Sequence, residues 1–414
     1  MRILLTTTAG IGHLHPLVPL ARAARAAGHQ VGVAAPASLG SVLADRGLQH
    51  LELPDYGPEQ AGRVEEVMRG LGPPGPGAEV PMFREVFGWA KTASTLHAMR
   101  RTVATWQPDL VVHEAAELSG PLAAEEAGVA HSTAAIGLRS TLATFLPYAA
   151  EGAANLAASI GLPPDREAGR ILDAPYATLV PPSLETPGSS MPAMVVHYQL
   201  TDIHGGGPSP TLRGAKPLVW IALGTETWRI PGLMERITPV IHDTTKALPN
   251  IRFLLTTGAA DGPLPALPAN VEVQPYVPQE VILATCAAVL GHGGFNTAIA
   301  ELSRGIPLVI MPLFATDQFD NADRVAGAGA AVAVTDPDPV GLVHALDRTL
   351  TDPCLAAAAQ RLADEMAALP TPSDAIERLM TTGRTRGAPD RPSRARRTPH
   401  QPDLAPMPGG NADP

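Results

Sequence analysis

Short apolar runs alternate with Ala-rich amphipathic segments along most of the chain. In the first half these runs are RILLTT (2–7), QVGVAAP (30–36), LQHLELP (48–54), DLVVHE (109–114), AHSTAAI (130–136) and MVVHYQ (194–199). In the second half they are LVWIALGT (218–225), IRFLLTTG (251–258), VEVQPYV (271–277), AAVLGHGG (287–294), PLVIMP (307–312) and AVAV (331–334). Strands that alternate with helices form parallel sheets with crossover helices. The pattern therefore predicts an α/β fold with two Rossmann-like domains.

Three stretches interrupt the alternation and set the domain boundaries. Residues 56–100 combine a Gly/Pro-rich loop with an amphipathic helix, MFREVFGWAKTASTLHAMRR. Residues 204–217 lack periodicity and are rich in Gly and Pro, which is typical of an interdomain linker. Residues 383–414 are Arg/Pro-rich and are predicted to be a disordered tail. We expect a first domain at 1–203 and a second at 218–382, facing each other across a cleft.

The amino-acid composition argues against several classes of function. The chain has 414 residues and a net charge of −10, which argues against a general nucleic-acid or membrane-surface binder. Its only cysteines, Cys286 and Cys354, predict neither a disulfide framework nor a cysteine zinc site. The start MRILLTTTAG lacks the pattern of a signal peptide, and no apolar run is long enough to cross a membrane. We expect a cytoplasmic protein that binds small molecules and is not inserted in a membrane; its oligomeric state stays open.

The loop TTTAGIGHLHP (6–16) joins the first strand to the first helix. Gly10 and Gly12 resemble the start of a dinucleotide-binding motif, but His15 stands where a third glycine is needed. The second strand also ends without an acidic residue for a ribose, so nicotinamide binding is poorly supported. The loop places His13 at the sheet edge where ligands bind, either as a general base or as a residue that caps the turn.

A carboxylate at the same edge is a candidate partner for His13. Glu114 directly follows the apolar run DLVVHE, so it lies at the carboxyl end of a parallel strand. A carboxylate there can accept the second ring N–H of the histidine and fix its tautomer. Glu117 and Asp109 compete for this role, and a solvated loop glutamate is the alternative for Glu114.

The segment GHGGFNT (291–297) predicts a diphosphate site without a metal ion. His292, Gly293 and Gly294 bring backbone N–H groups close to a ligand, and a helix N-terminus attracts anions. Asn296 and Thr297 add side-chain donors. Thr225 offers a second turn in this domain, while Asp317 and Gln318 in PLFATDQFDN follow the next strand and can bind sugar hydroxyls.

These motifs together resemble a family-1 glycosyltransferase with the GT-B fold, of the bacterial type that decorates natural products. The most specific stretch is 275–324, PYVPQEVILATCAAVLGHGGFNTAIAELSRGIPLVIMPLFATDQFDNADR. The resemblance implies that His13 is the catalytic base, that Glu114 is its acidic partner and that His292 contacts the diphosphate. It implies the following donor-binding set: Gly12, Thr225, Tyr276, Val277, Gln279, His292, Gly293, Gly294, Asn296, Thr297, Asp317 and Gln318.

Two departures from the family pattern concern the nucleoside. Tyr276 replaces the tryptophan that usually stacks on the base, and it can still stack. Ala300 occupies the position of the ribose-binding glutamate of plant relatives, while Glu301 lies one step, about 100°, further around the helix. A thymidine donor, which lacks the 2′-hydroxyl, is therefore expected to be preferred over a uridine donor.

The resemblance therefore implies inverting transfer of a hexose, in particular a deoxyhexose, from a nucleotide sugar to a hydroxyl of an apolar aglycone. The nucleotide sugar is a co-substrate; no cofactor and no metal are expected. Acceptor-pocket candidates are the large apolar side chains of the two irregular regions of the first domain. They are Met82, Phe83, Phe87, Trp89 and Phe145, with Met68, Met99 and Tyr148 as further candidates. An inactive glycosyltransferase-like activator and a nucleotide-sugar epimerase of the same fold stay as alternatives.

Overall fold

Two parallel sheets organise the chain in the computed structural model, which describes residues 1–71, 78–201, 216–230, 232–258 and 266–386. Residues 204–215 of the predicted linker and 387–414 of the predicted tail lie outside these ranges. The predicted pair of parallel α/β domains is confirmed. Within the described residues, no helix has the length and apolar content that crossing a bilayer requires.

The first sheet has seven strands in the order β3-β2-β1-β4-β5-β6-β7. Its strands are β1 Arg2–Thr6, β2 Gln30–Pro36, β3 Gln49–Leu53, β4 Leu110–Glu114, β5 Ala130–Ala134, β6 Tyr176–Thr178 and β7 Val195–His197. The helices around it are α1 Ile11–Leu14, α2 Leu17–Ala26, α3 Gly40–Asp45, α4 Pro58–Gly70, α5 Thr92–Trp106, α6 Ser119–Glu126, α7 Arg139–Ser159 and α8 Gly169–Leu172. Helices cover both faces of the sheet, which is why β1 and β4 are apolar almost throughout.

The second sheet has six strands in the order β10-β9-β8-β11-β12-β13. Its strands are β8 Leu218–Ala222, β9 Arg252–Thr256, β10 Val271–Gln274, β11 Ala288–Gly291, β12 Leu308–Ile310 and β13 Ala331–Ala333. The helices that follow are α9 Leu233–Ala247, α10 Gln279–Leu283, α11 Phe295–Leu302, α12 Thr316–Gly327, α13 Pro339–Thr351, α14 Pro353–Ala367 and α15 Pro372–Arg386. In both sheets the order reverses beside the first strand of the domain, and this is where doubly wound folds bind ligands.

The predicted amphipathic helix of the irregular region exists but begins as a π-helix. Residues Met82–Lys91 are π-helical and continue directly into α5. The π-helix packs closely on α7 through two glycines. A Cβ on Gly152 would lie 1.9 Å from the carbonyl oxygen of Arg84, and one on Gly88 would lie 2.3 Å from that of Ala149. The absence of both Cβ atoms therefore lets the two backbones touch.

Two parts of the fold differ from the sequence prediction. Strand β6 was not predicted, because Pro175 and Pro181 lie on either side of it and mark the stretch as a loop. Helix α15 runs to Arg386, beyond the predicted boundary at Thr382, and it packs on α2 and β5 of the first domain. Its residues Ala375, Ile376 and Leu379 are buried. The first domain is therefore built from two chain segments, the N-terminal half and α15. The predicted limits of 1–203 and 218–382 assign most of α15 to the second domain and so miss this packing.

Several hydrogen bonds join the domains directly. The Asn296 side chain donates to the carbonyl oxygen of Gly12 at 2.7 Å. The backbone N–H of Thr316 donates to Glu79 at 2.9 Å, and the hydroxyl of Thr141 donates to Asp320 at 2.6 Å. These bonds connect residues of the first domain directly to the helices α11 and α12 of the second.

Candidate functional site

His13 and Glu114 meet at the carboxyl edge of the first sheet. His13 lies in the short helix α1, directly after β1, while Glu114 ends the neighbouring strand β4. The His13 Nδ1 atom lies 3.1 Å from Glu114 Oε1. A carboxylate in this position accepts a hydrogen bond from Nδ1–H, so Nε2 is left as the ring nitrogen that can take a proton from a substrate.

Glu114 is fully buried and firmly held. The hydroxyl of Thr8 donates to its Oε1 at 3.0 Å, and the backbone N–H of Ala116 donates to its Oε2 at 2.6 Å. Burial acts to raise the pKa of Glu114, but the charges of His13 and Lys91 and the hydrogen bonds from His13 and Ala116 outweigh it and lower the pKa. Glu114 is therefore ionised at neutral pH and can stabilise an imidazolium at His13.

The two competing carboxylates have other partners. Glu117 accepts hydrogen bonds from the backbone N–H groups of Ser119 and Gly120 at the start of α6 and from the hydroxyl of Thr6. Asp109 accepts from the backbone N–H of Arg2 at the opposite edge of the sheet. Of the three carboxylates, the structure brings only Glu114 into hydrogen-bond contact with His13.

His292 follows β11 and is almost fully buried, with 9% of its surface exposed. Its Nδ1 lies 3.1 Å from the carbonyl oxygen of Ala222, which can only accept, so Nδ1 carries a proton. Burial lowers the pKa of His292, although the hydrogen bond to Ala222 opposes this shift. The neutral ring therefore presents an unprotonated Nε2, and His292 needs a second proton before it can donate to a phosphate oxygen.

The glycines around His292 make room for its ring. A Cβ on Gly294 would lie 2.4 Å from His292 Nε2, and one on Gly224, whose φ is +78°, would lie 2.7 Å away. Gly293 has a φ of +84°, and its Cβ would lie 2.8 Å from Ile310. The sequence predicted that glycines bring the backbone close to a ligand; their positions also show that the imidazole itself excludes larger residues.

Helix α11 begins at Phe295, so its free N–H groups point out of the second domain beside Gly12. The Asn296 amide uses Nδ2 for the hydrogen bond to Gly12 and presents Oδ1, an acceptor that has no partner among the described residues. The amide nitrogen carries two hydrogens, so the bond to Gly12 leaves one N–H, and the role of Asn296 as a donor to the diphosphate stays a prediction. Thr297 is half-buried in the first turn.

The predicted sugar-binding pair has two different environments. Gln318 is 2% exposed, and its Oε1 accepts from the backbone N–H groups of Leu313 and Phe314, so this end of the amide holds a loop. Burial, then the nearby carboxylates of Glu79 and Asp320, raise the pKa of Asp317 to about 7. Thr225, in the turn after β8, is exposed.

The predicted nucleoside positions line one side of the second domain. The Tyr276 side chain is 62% exposed, so its ring is open to stacking, whereas the Val277 side chain is buried. Gln279 and Ala300 line a cavity of about 260 Å³ together with Ser303 and Arg304.

Glu301 does not face that cavity. Its side chain is 2% exposed and lies beside Gly291, and burial raises its pKa well above the usual range. The predicted difference between Ala300 and Glu301 in their direction around the helix therefore agrees with the structure.

Three of the predicted acceptor side chains form an aromatic stack that ends at His13. The ring centroids of Phe83 and Phe145 are 4.4 Å apart, and those of Phe83 and Phe87 are 5.4 Å apart. Phe87 in turn lies 5.8 Å from the His13 ring. The other candidates lie outside this stack: Met82, Trp89 and Tyr148 are half-buried, Met68 is exposed, and Met99 belongs to the core.

Sequence reasoning missed two charged residues here. The Lys91 ammonium lies 3.8 Å from the centroid of Phe87, and burial lowers the pKa of this lysine to about 8 although Glu114 and Glu226 oppose the shift. Glu79 reaches from the first domain to the start of α12. The spacing of four residues from Phe87 to Lys91 is the signal that places them together on one helix face. No group of three or more possible metal-ligating side chains occurs in the ranges that the structure describes.

Known proteins resemble this protein in sequence and in fold over nearly the whole chain. Residues 77–171 and 253–382 match the N-terminal and C-terminal domains of the erythromycin biosynthesis protein CIII-like type. The L-demethylnoviosyl transferase of Streptomyces niveus is 32% identical over 93% of this chain and 99% of its own length. The matched ranges include Glu114, the aromatic stack and most of the predicted donor site.

Solved structures share the architecture. The glycosyltransferase SnogD of Streptomyces nogalater is 25% identical, with a TM-score of 0.74, over 92% of this chain and 99% of that one. The glycosyltransferase SsfS6 of Streptomyces sp. SF2575, in complex with thymidine diphosphate, is 26% identical, with a TM-score of 0.72, over the same shares.

Proposed function

Because the chain belongs to the erythromycin biosynthesis protein CIII-like family of bacterial antibiotic glycosyltransferases, we propose that it is an inverting enzyme that uses a thymidine diphosphate sugar. It transfers a hexose, in particular a deoxyhexose, to a hydroxyl of an apolar aglycone. The observation that carries the proposal is the His13–Glu114 pair, which lies at the cleft opposite the N-terminus of α11.

In the proposed reaction His13 acts as the general base. Its Nε2 takes the proton of the acceptor hydroxyl while the oxygen attacks the anomeric carbon from the face opposite the diphosphate. Glu114 stabilises the imidazolium that forms, since it is buried, ionised and bonded to Nδ1. The new carbon–oxygen bond forms as the bond to the diphosphate breaks, so the configuration at the anomeric carbon inverts.

The leaving diphosphate is stabilised by the second domain. Protonated His292 and the N–H groups at the start of α11 face the place where its negative charge develops. A well-oriented donor of this kind contributes on the order of 3 kcal/mol to transition-state stabilisation. The proposed reaction therefore assigns this charge to protein groups and requires no metal ion.

Two observations support a thymidine donor. Ala300 puts a methyl group where plant relatives have the ribose-binding glutamate, in a cavity whose carboxylate comes from Glu280, next to Gln279. The relative SsfS6, 26% identical to this chain, has been solved with thymidine diphosphate. In the proposed arrangement Tyr276 stacks on the base, the Val277 backbone contacts it, and Asp317 and Gln318 bind the sugar.

The experiment that tests the proposal removes the base. His13→Ala should lower turnover by roughly a hundredfold or more, the usual contribution of a general base. Affinity for thymidine diphosphate, measured by calorimetry, should change little, because His13 belongs to the other domain. Near-normal glycoside formation by His13→Ala would contradict the assignment.

The same assay decides between the proposal and its alternatives. An epimerase would change the donor sugar when no acceptor is present, whereas an inactive activator would leave it unchanged under every condition. The intact His13–Glu114 pair and the intact His292 site favour transfer over an inactive homologue.

A further inference from the structure

Lys91 occupies a position that the reaction described above does not use. It is the last residue of the π-helix, and its ammonium lies 3.8 Å from the centroid of the Phe87 ring. The same ring lies 5.8 Å from the ring of His13. A single phenyl group thus contacts both the base and the cation, at the end of the aromatic stack.

Carboxylates of both domains influence the charge of Lys91. The negative groups that act on it are Glu114 of the first domain and Glu226, in the loop after β8 of the second domain. Within the described part of the chain, the ammonium has no hydrogen bond and no ion pair within 4 Å; its close partner is Phe87. A half-buried cation without a hydrogen-bond acceptor keeps its donors available for a ligand.

We propose that Lys91 recognises the acceptor: its ammonium receives the negative oxygen of an acidic hydroxyl, which makes phenols the preferred class of aglycone. This inference rests on the proposed function. As His13 takes the hydroxyl proton, negative charge grows on the acceptor oxygen, and a neighbouring ammonium stabilises it. The proton ends on His13, the oxygen forms its bond to the anomeric carbon, and the nucleoside diphosphate leaves with the electron pair of the broken bond.

The surroundings favour the acceptor over the leaving diphosphate as the partner of Lys91. The lysine lies on the same helix as Phe83 and Phe87, and its ring partner also touches His13, the group that meets the acceptor. The diphosphate site, by contrast, consists of His292 and the start of α11. A planar phenol can pack against the stacked rings while its oxygen lies near both His13 and Lys91.

Binding of an anion and its neutral isostere tests this role without turnover. We would titrate 2-naphthoate and 2-naphthamide by calorimetry into protein saturated with thymidine diphosphate. Wild type should bind the carboxylate at least tenfold more tightly than the amide. Lys91→Met should reduce that preference below threefold, while Lys91→Arg should keep most of it. Equal binding of the two probes by the wild type, or their failure to bind, would overturn the proposal.

Two controls separate charge recognition from general damage. Arg84→Met removes a cation from the same helix, one that pairs with Glu151 at the surface, and should behave as wild type. Thymidine diphosphate affinity should stay within twofold in every variant. If Lys91→Met instead loses tenfold in that affinity and keeps the carboxylate preference, the lysine serves the diphosphate and the proposal is wrong.

Sugar transfer separates this inference from the proposed function. With 2-naphthol and 2-naphthalenemethanol as acceptors, Lys91→Met should lower the ratio of the two kcat/KM values at least tenfold. Normal transfer with an unchanged ratio would reject the role of Lys91 and leave the proposed function intact. Absence of transfer in wild type, with the carboxylate preference retained, would reject the proposed function and leave the anion site.

Discussion

At the residue scale, the tautomer of His292 has a measurable consequence. Nδ1 donates to Ala222, so Nε2 gains a proton only when the ring becomes charged, and burial lowers the pKa of the free ring. A bound diphosphate favours the charged ring, so binding takes up a proton. The affinity of thymidine diphosphate should therefore fall as the pH rises, by up to roughly tenfold per unit above the pKa of the free histidine.

Calorimetry at several pH values, in buffers with different ionisation enthalpies, measures this proton uptake. The diphosphate itself titrates, so His292→Gln serves as the control: the pH dependence that remains in this variant belongs to the ligand. An identical pH profile in wild type and variant would contradict the assigned tautomer.

Ala300 determines a second expectation at this scale. In the proposed nucleoside site, a uridine donor brings its 2′-hydroxyl to the Ala300 methyl group, and a buried hydroxyl with one partner fewer costs about 1–3 kcal/mol. Thymidine diphosphate should thus bind roughly tenfold to a hundredfold more tightly than uridine diphosphate. Ala300→Glu should narrow the gap. Titration of both diphosphates tests this expectation, and equal affinities in wild type would show that Ala300 does not select between thymidine and uridine donors.

At the scale of elements, the contact between the π-helix and α7 depends on missing side chains. Gly152→Ala would place a methyl group 1.9 Å from the carbonyl oxygen of Arg84, so the helices must separate. We expect a loss of about 1–3 kcal/mol in the free energy of unfolding. Because Phe83 and Phe87 lie on the displaced helix, the acceptor KM should rise while thymidine diphosphate affinity is kept.

Gly62 in α4 provides the matched control for this substitution. Nothing lies within 4 Å of the position that its Cβ would take, so Gly62→Ala should be neutral or stabilise the helix by up to about 1 kcal/mol. Urea unfolding of both variants makes the comparison. If both change stability alike, close packing at Gly152 is not the cause.

Sequence patterns predicted the sheet elements well where the strands are long and apolar, as in β1, β2 and β4, because burial on both faces leaves a continuous signal. They also placed His13, Glu114 and His292 at sheet edges, since the ends of parallel strands share one edge. They missed the three-residue β6, the π-helical geometry and the return of α15 to the first domain. The π-helix and the return of α15 depend on contacts between distant segments, such as Gly152 with Arg84, that no local pattern encodes.

At the scale of the whole molecule, Asn296 connects the loop that carries the proposed base His13 with the proposed donor site of the second domain. Its hydrogen bond to Gly12 holds the loop of His13 against the start of α11. Asn296→Ala removes this bond, and a net loss of about 1–1.5 kcal/mol corresponds to roughly a tenfold fall in kcat if closure is required in the transition state. Thermal stability should change little, because neither domain core is touched.

Ser183→Ala is the appropriate comparison for this variant. Ser183 also bonds across the domains, to Glu365 of α14, in a contact that includes neither the His13 loop nor α11. In steady-state kinetics, kcat should fall for Asn296→Ala and stay close to the wild-type value for Ser183→Ala. An equal fall in both variants would mean that the loss of any interdomain hydrogen bond lowers kcat, and that the bond of Asn296 has no particular role in catalysis.

The return of α15 to the first domain bears on recombination between relatives. The buried face of this helix completes the packing around α2 and β5, although its residues come last in the chain. A chimera that exchanges acceptor halves at the domain boundary alone would join a foreign α2 to a native α15, and so mix two sets of core side chains. The unit that can be grafted intact is residues 1–201 together with 372–386, and this non-contiguous unit is what inherits the acceptor preference.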